Sequence, residues 1–315
     1  MRLKPVFRDL TTGSRLLMLI LVILLCGILS LSVSYLLSVL IWGKSVLHEA
    51  GDPEMINLGF MRLTQMLNQV GFFLIPPFLF ALLSERYPFS FLGFNKPRII
   101  HFFAAILLLM AAGPLTGYLA GWNERLILPT ELSGLADWMR TSEDTASKLT
   151  NRLLNAPGTT SLIVNIIMIG LLPSLGEELL FRSALIGIFR KIFRGIHLPV
   201  IISALLFSAL HLQFFGFLPR FMLGLLFGYL FVWSGSVWIP VIAHFINNSS
   251  VVIASYLYNN GISAIPADEL GTVSSGAGVA LSTAAVVLIM FWVYYTRKSS
   301  PELSPVQQES SGTIS

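Results

Sequence analysis

The strongest constraint on this chain is its series of long apolar runs. Eight stretches stand out, at about 16–42, 63–84, 99–121, 159–188, 198–214, 219–234, 237–258 and 277–296. A bilayer crossing needs roughly 20 mostly apolar residues. Inside hydrocarbon every backbone N–H and C=O must be satisfied within the protein, so long uninterrupted apolar runs cross as helices. The expected fold class is therefore all-α: a polytopic transmembrane helix bundle of about eight spans. Composition agrees, since 55% of residues are hydrophobic and 11% charged, against about 25% charged in soluble domains. The first run is too long for the apolar part of a signal peptide and lacks a small-residue cleavage site, so it reads as a retained helix. The second is the weakest, because Gln65, Asn68 and Gln69 interrupt it. Pro76 and Pro77 should break or kink it, and it could be re-entrant or tilted.

Loop charge gives an orientation. With a cytoplasmic N-terminus, one side carries Arg2, Lys4, Arg8, Arg15, Arg86, Lys96, Arg98, Arg190, Lys191, Arg194, Arg297 and Lys298, and the other Lys44, Arg62, Arg125, Arg140, Lys148, Arg152 and Arg220. That is twelve against seven, which puts both termini in the cytoplasm, with a bacterial inner (plasma) membrane as the expected location. Trp42, Trp122, Trp233, Trp238 and Trp292 fall near span ends, as an interfacial aromatic belt requires. The formal charge of +4 is accounted for by these loop residues and does not call for a nucleic-acid partner. The single cysteine, Cys26, excludes an intrachain disulfide. Residues 122–157 form the one long extramembrane segment, where Trp138, Leu149 and Leu153 among charges suggest a helix lying on the surface. The tail from Ser299, rich in Ser, Pro and Gln, reads as disordered. Three parts are expected: N-terminal helices and their loop (1–157), a core (158–258), and a last helix with tail (259–315).

Between Asp144 and Asp268 only two carboxylates occur, and they are adjacent: Glu177 and Glu178, inside an apolar run. Ionisable groups at such depth are costly and mark function by default. Glu178 and Arg182 are spaced i, i+4 and can pair, a structural role. Glu177 is turned about 100° away and has no partner on its own helix, the setting in which a carboxylate is tuned for general acid–base work. His211 follows Phe207 by four residues at the end of one run. His244 and Asn248 share a face of another, with Asn247 off it. At about 1.5 Å per residue, Glu177 and His211 lie roughly 20 Å, and His244 roughly 12 Å, from the side bearing Arg190, His197 and Ser236. One level on three helices can thus hold them all. His48, His101 and His197, near interfaces, read as packing residues. Gly224 and Gly228 have small-xxx-small spacing, for which helix packing suffices.

The combined pattern, Glu177-Glu178-x-x-x-Arg182, Phe207-x-x-x-His211 and His244-x-x-x-Asn248, resembles the three-motif signature of the CAAX prenyl protease and bacteriocin-processing (CPBP, or Abi) intramembrane proteases, over about residues 160–255. The resemblance implies that Glu177 activates water, that His211 helps to hold it, and that His244 and Asn248 stabilise the oxyanion. Glu178 and Arg182, with Phe207 in support, would shape the site. The implied partners are the bilayer and a membrane-bound peptide or protein substrate, prenylated or carrying a leader. Glu177, His211 and His244 could also hold a zinc with one open position. No His-Glu-x-x-His pair is present, which favours a glutamate mechanism without metal. The alternative is a non-enzymatic transporter with a Glu/His proton relay, or a toxin-immunity scaffold.

Overall fold

A computed structural model describes residues 4–7, 9–49, 55–267, 271 and 275–297. Among them every regular element is helical. We label the principal helices α1 (Thr12–Trp42), α2 (Leu58–Ser84), α3 (Ile99–Glu124), α4 (Ser133–Leu154), α5 (Thr159–Ile192), α6 (His197–Ala209), α7 (Phe214–Ser234), α8 (Trp238–Asn259) and α9 (Gly276–Tyr295). All but α4 and α6 are long and apolar enough to cross a bilayer, seven in all. Leu21, Leu25 and Leu40 of α1 and Leu281 and Leu288 of α9 face outward, as lipid rather than water requires. The chain is a multi-pass integral membrane protein.

Two of the expected spans differ from the structure. The run at 198–214 is not one crossing helix. Helix α6 stops at Ala209, and Leu212 takes a left-handed backbone conformation (φ 52°). The chain then turns back into α7. Apolarity continues through this turn, which is why hydropathy alone does not reveal it. The second difference is at Pro76–Pro77, where α2 runs on unbroken as one helix, Leu58–Ser84. A wider π-helical turn at Val70–Leu74 precedes the prolines, and Ile75 N–H donates to Val70 C=O. The widened turn makes room for rings that would otherwise strike the preceding carbonyls.

Pro114 inside α3 is handled from another helix. Ser282 of α9 accepts from Leu115 N–H at 3.2 Å and donates to Ala111 C=O at 2.5 Å, satisfying both backbone groups that the proline separates. Around it, Leu108, Ala112, Phe227, Leu230, Ala243 and Val286 join α3, α7, α8 and α9 in one apolar cluster. A second cluster, built from Leu19, Phe80, Phe181, Ile188 and Phe207, joins α1, α2, α5 and α6. The Gly224 and Gly228 spacing does what the sequence suggests. A Cβ on Gly228 would lie 2.8 Å from Val200 and one on Gly224 3.1 Å from Ala204, so the bare backbone of α7 packs directly against these side chains of α6.

The extramembrane segment contains α4 as expected. Leu153 is buried with Ile56, Met61 and Met168, and Leu149 packs on that cluster. Trp138 packs at a tilt against Phe214, with centroids 5.2 Å apart. Arg62 and Arg220, read from sequence as loop charges, lie inside α2 and α7. Arg2, Arg8, Lys298 and the tail from Ser299 lie outside the described residues, as does the side chain of His48.

Candidate active site

The site sits where α5 and α8 pass between the two apolar clusters, with α2, α6 and α7 around them. Helix α5 is a sequence of α- and π-helical turns: Ile166–Leu171 and Glu178–Leu185 are π-helical. Such insertions concentrate at functional sites. The first leaves Ile169 C=O to be met from α8, where Asn248 Nδ2 donates to it at 3.1 Å. Asn248 in turn accepts from Asn247 Nδ2 at 3.2 Å.

Glu178 is fully buried. Its Oε2 lies 3.0 Å from Arg182 Nε, the expected i, i+4 ion pair. The angle there does not make a good hydrogen bond, and neither Nη of Arg182 has a hydrogen-bond partner among the described residues. The guanidinium is instead held by rings, lying 4.3 Å from the centroid of Phe207 and 5.8 Å from that of Phe227. A desolvated cation on an aromatic face gains about 2 kcal/mol, which helps explain how Arg182 tolerates burial.

The other oxygen of Glu178 has a partner that spacing could not reveal. His244 Nδ1 donates to Glu178 Oε1 at 2.8 Å. Glu178 is thus more than half of a structural pair; it fixes the tautomer and ring plane of His244 from behind. The free Nε2 of His244 then faces Glu177, 3.9 Å from its Oε2. Glu177, nearly buried, is not without a partner: Gln69 Nε2 of α2 donates to its Oε1 at 3.0 Å. The feature that made α2 look like a weak span is therefore a side chain of the site. A polar residue in an apolar run was the signal, read there as a cost only.

His211 follows the end of α6, and its ring is more exposed than that of His244. Its Nδ1 donates to Phe207 C=O at 2.7 Å, again leaving Nε2 free. Its ring meets Phe207 edge-on at 4.9 Å, and Phe207 meets His244 at 6.0 Å. Phe207 is the hub on which Arg182 and both histidines rest. His211 lies within electrostatic reach of Glu177, His244 and Arg220. Arg220 is a residue sequence reasoning missed. Its guanidinium grips the side chain of Gln213 at 2.7 Å and its backbone C=O at 3.2 Å, bracing the turn that carries His211.

The candidate residues Glu177, Glu178, Arg182, Phe207, His211 and His244 thus come to one place, with Asn248 one turn along α8 from His244, bonded to Ile169 C=O. The histidines set aside lie elsewhere: His197 bonds Tyr229 at 2.9 Å, and His101 is buried in α3. The donors are of zinc-binding type, and His244 turns its Nε2 toward Glu177. Yet no three His, Cys, Asp or Glu side chains are gathered as a metal-ligand set among the described residues.

Residues 159–250 match the family described as type II CAAX prenyl endopeptidase, Rce1-like. The match runs from the start of α5 to Ser250 of α8 and holds every residue of the cluster except Gln69. Neither a curated protein nor a solved structure matches the chain.

Proposed function

We propose that this chain, whose α5–α8 match the Rce1-like type II CAAX prenyl endopeptidase family, hydrolyses a peptide bond of a membrane-borne substrate by glutamate-activated water. The observation that carries this reading is the pair Glu177 Oε2 and His244 Nε2 facing each other at 3.9 Å. Two atoms so placed can each reach one water molecule, seated off the line between them, at about 2.8 Å.

Glu177 takes a proton from that water as the oxygen attacks the scissile carbonyl, and delivers it to the departing amine. Gln69 holds the other oxygen of Glu177, so the carboxylate does not rotate away. Nδ1 of His244 is committed to Glu178, so Nε2 is the atom that faces the reacting groups. From its protonated form it donates to the oxyanion together with the second N–H of Asn248. His211 Nε2 completes the hold on water. Substrates reach the site from the bilayer as prenylated or leader-bearing chains.

The test is Glu177→Gln, which keeps shape and hydrogen-bonding capacity but removes the base. Cleavage of a prenylated peptide by purified protein should fall by about 10²–10⁴-fold, with thermal unfolding in detergent unchanged. Turnover within a few-fold of wild type would exclude Glu177 as the base.

A further inference from the structure

The turn that carries His211 has a weak point. After α6 the chain passes through the left-handed Leu212 into a single 3-10 turn, Phe214–Gly216, that opens α7. The first N–H groups of a helix have no carbonyl of their own helix to meet. Here two other helices meet them. Asn123, in the last turn of α3, accepts from Leu218 N–H and donates to Phe214 C=O, both at 2.8 Å. Glu143 of the extramembrane helix α4 accepts from Phe215 N–H through Oε2 at 3.3 Å. A carboxylate suits that place, because the amino end of a helix carries partial positive charge. Glu143 also lies within electrostatic reach of Arg220, which braces Gln213 from within the same turn.

The rest of α4 shows what this contact is anchored to. Near Glu143, Trp138 packs on Phe214, and the Arg140 guanidinium lies 5.1 Å from the ring centroid of Phe215. At the other end, Asn165 of α5 donates to Leu153 C=O at 2.6 Å, and Asn259 of α8 donates to Asn155 Oδ1 at 2.8 Å. Eleven residues, about 16 Å of helix, separate Glu143 from Leu154. Most of that length is exposed, so α4 adds little to the apolar core. It runs instead from the His211 turn to the ends of the two helices that carry Glu177 and His244.

We propose that Glu143 is a positioning residue: by holding Phe215 N–H it fixes the start of α7 against α4, and so sets where His211 stands relative to Glu177 and His244. It touches no reacting atom and acts through the turn. The consequence for turnover rests on the protease reading, whereas the hold on the turn does not. Glu143 is half-buried and its loss empties no core position, so its removal loosens the turn without unfolding the bundle.

The test reads the turn and the reaction separately, on full-length protein in detergent. Hydrogen exchange followed by mass spectrometry reports on residues 210–216. Glu143→Ala should speed exchange there about tenfold, as loss of one hydrogen bond to a charged group allows, and leave α8 unchanged. Glu143→Gln, whose amide oxygen can accept the same N–H, should restore protection. Asp144→Ala, which removes the neighbouring exposed acid, should change nothing. With a prenylated peptide, Glu143→Ala should lower kcat about tenfold with KM within twofold of wild type, and Glu143→Gln should recover most of the loss. In a His211→Ala background, Glu143→Ala should cost less than a further twofold, because the residue it positions is gone. Unchanged exchange in Glu143→Ala, a kcat that stays at the wild-type value when exchange rises, or a full tenfold further loss without His211 would each overturn the assignment. The expected exchange pattern in a protein that cleaves no prenylated peptide would reject the protease reading and leave Glu143 standing as the anchor of the turn.

Discussion

Replacing Glu178 by alanine separates two functions that the structure places on one carboxylate. The side chain is fully buried, pairs with Arg182 through one oxygen and holds His244 through the other. Removing it orphans a guanidinium that is 1% exposed. Breaking a buried pair by deleting one partner costs about 3–5 kcal/mol, a large share of the roughly 5–15 kcal/mol that holds a typical protein folded. The rings of Phe207 and Phe227 remain, so the loss should fall at the lower end of that range. Turnover should fall independently, because His244 loses the group that fixes its tautomer and plane; loss of such an orienting carboxylate can cost on the order of 10²–10⁴-fold. The two effects part in the double variant Glu178→Ala/Arg182→Met. Deleting the orphaned cation returns most of the stability, since an apolar chain of similar length fits between the same rings. It leaves His244 unheld, so turnover stays low. Thermal unfolding in detergent and single-turnover cleavage, measured on the same preparations, read the two quantities. A double variant that regains both stability and turnover would refute the argument and reduce Glu178 to a counter-ion.

Two further outcomes can be checked. Gln69→Leu should leave unfolding unchanged, as leucine suits an apolar helix, while kcat/KM falls about 10–100-fold for loss of a hydrogen bond to a charged group; an unchanged kcat/KM would detach Gln69 from the site. Gly228→Ile should lower thermal stability by about 1–3 kcal/mol, because even its Cβ would meet Val200 at 2.8 Å, and tilting α6 should lower turnover through Phe207 and His211.

Much of this was legible in the chain because lipid leaves few options. An apolar run must become a helix, so seven spans could be placed within a few residues. What failed was the backbone detail that apolarity does not encode. Leu210 and Leu212 are as apolar as the helix before them, and only the left-handed Leu212 marks the reversal that makes α6 short. The prolines of α2 were read by their local effect, whereas a π-helical turn one step earlier absorbs them. In the site, Glu177 and Glu178 stood out because no other carboxylate lies near them in sequence. The i, i+4 contact with Arg182 was local and readable. The contacts that complete the site, Glu178 with His244 and Glu177 with Gln69, join residues 66 and 108 positions apart. Periodicity carries no information about such pairs.

The serine that mends α3 has a consequence for what counts as the smallest working unit. Every candidate catalytic residue lies in α5–α8, which invites the idea that these helices are a transferable module. Yet α7 and α8 pack on α3, and α3 keeps its proline only because Ser282 of the last helix answers the two backbone groups the ring pries apart. Cut away α9, and a carbonyl and an amide are bared to hydrocarbon, each at a cost of several kcal/mol. The ends of the chain are thus bound to its middle, and a grafted or truncated core would inherit the chemistry without the wall it leans on.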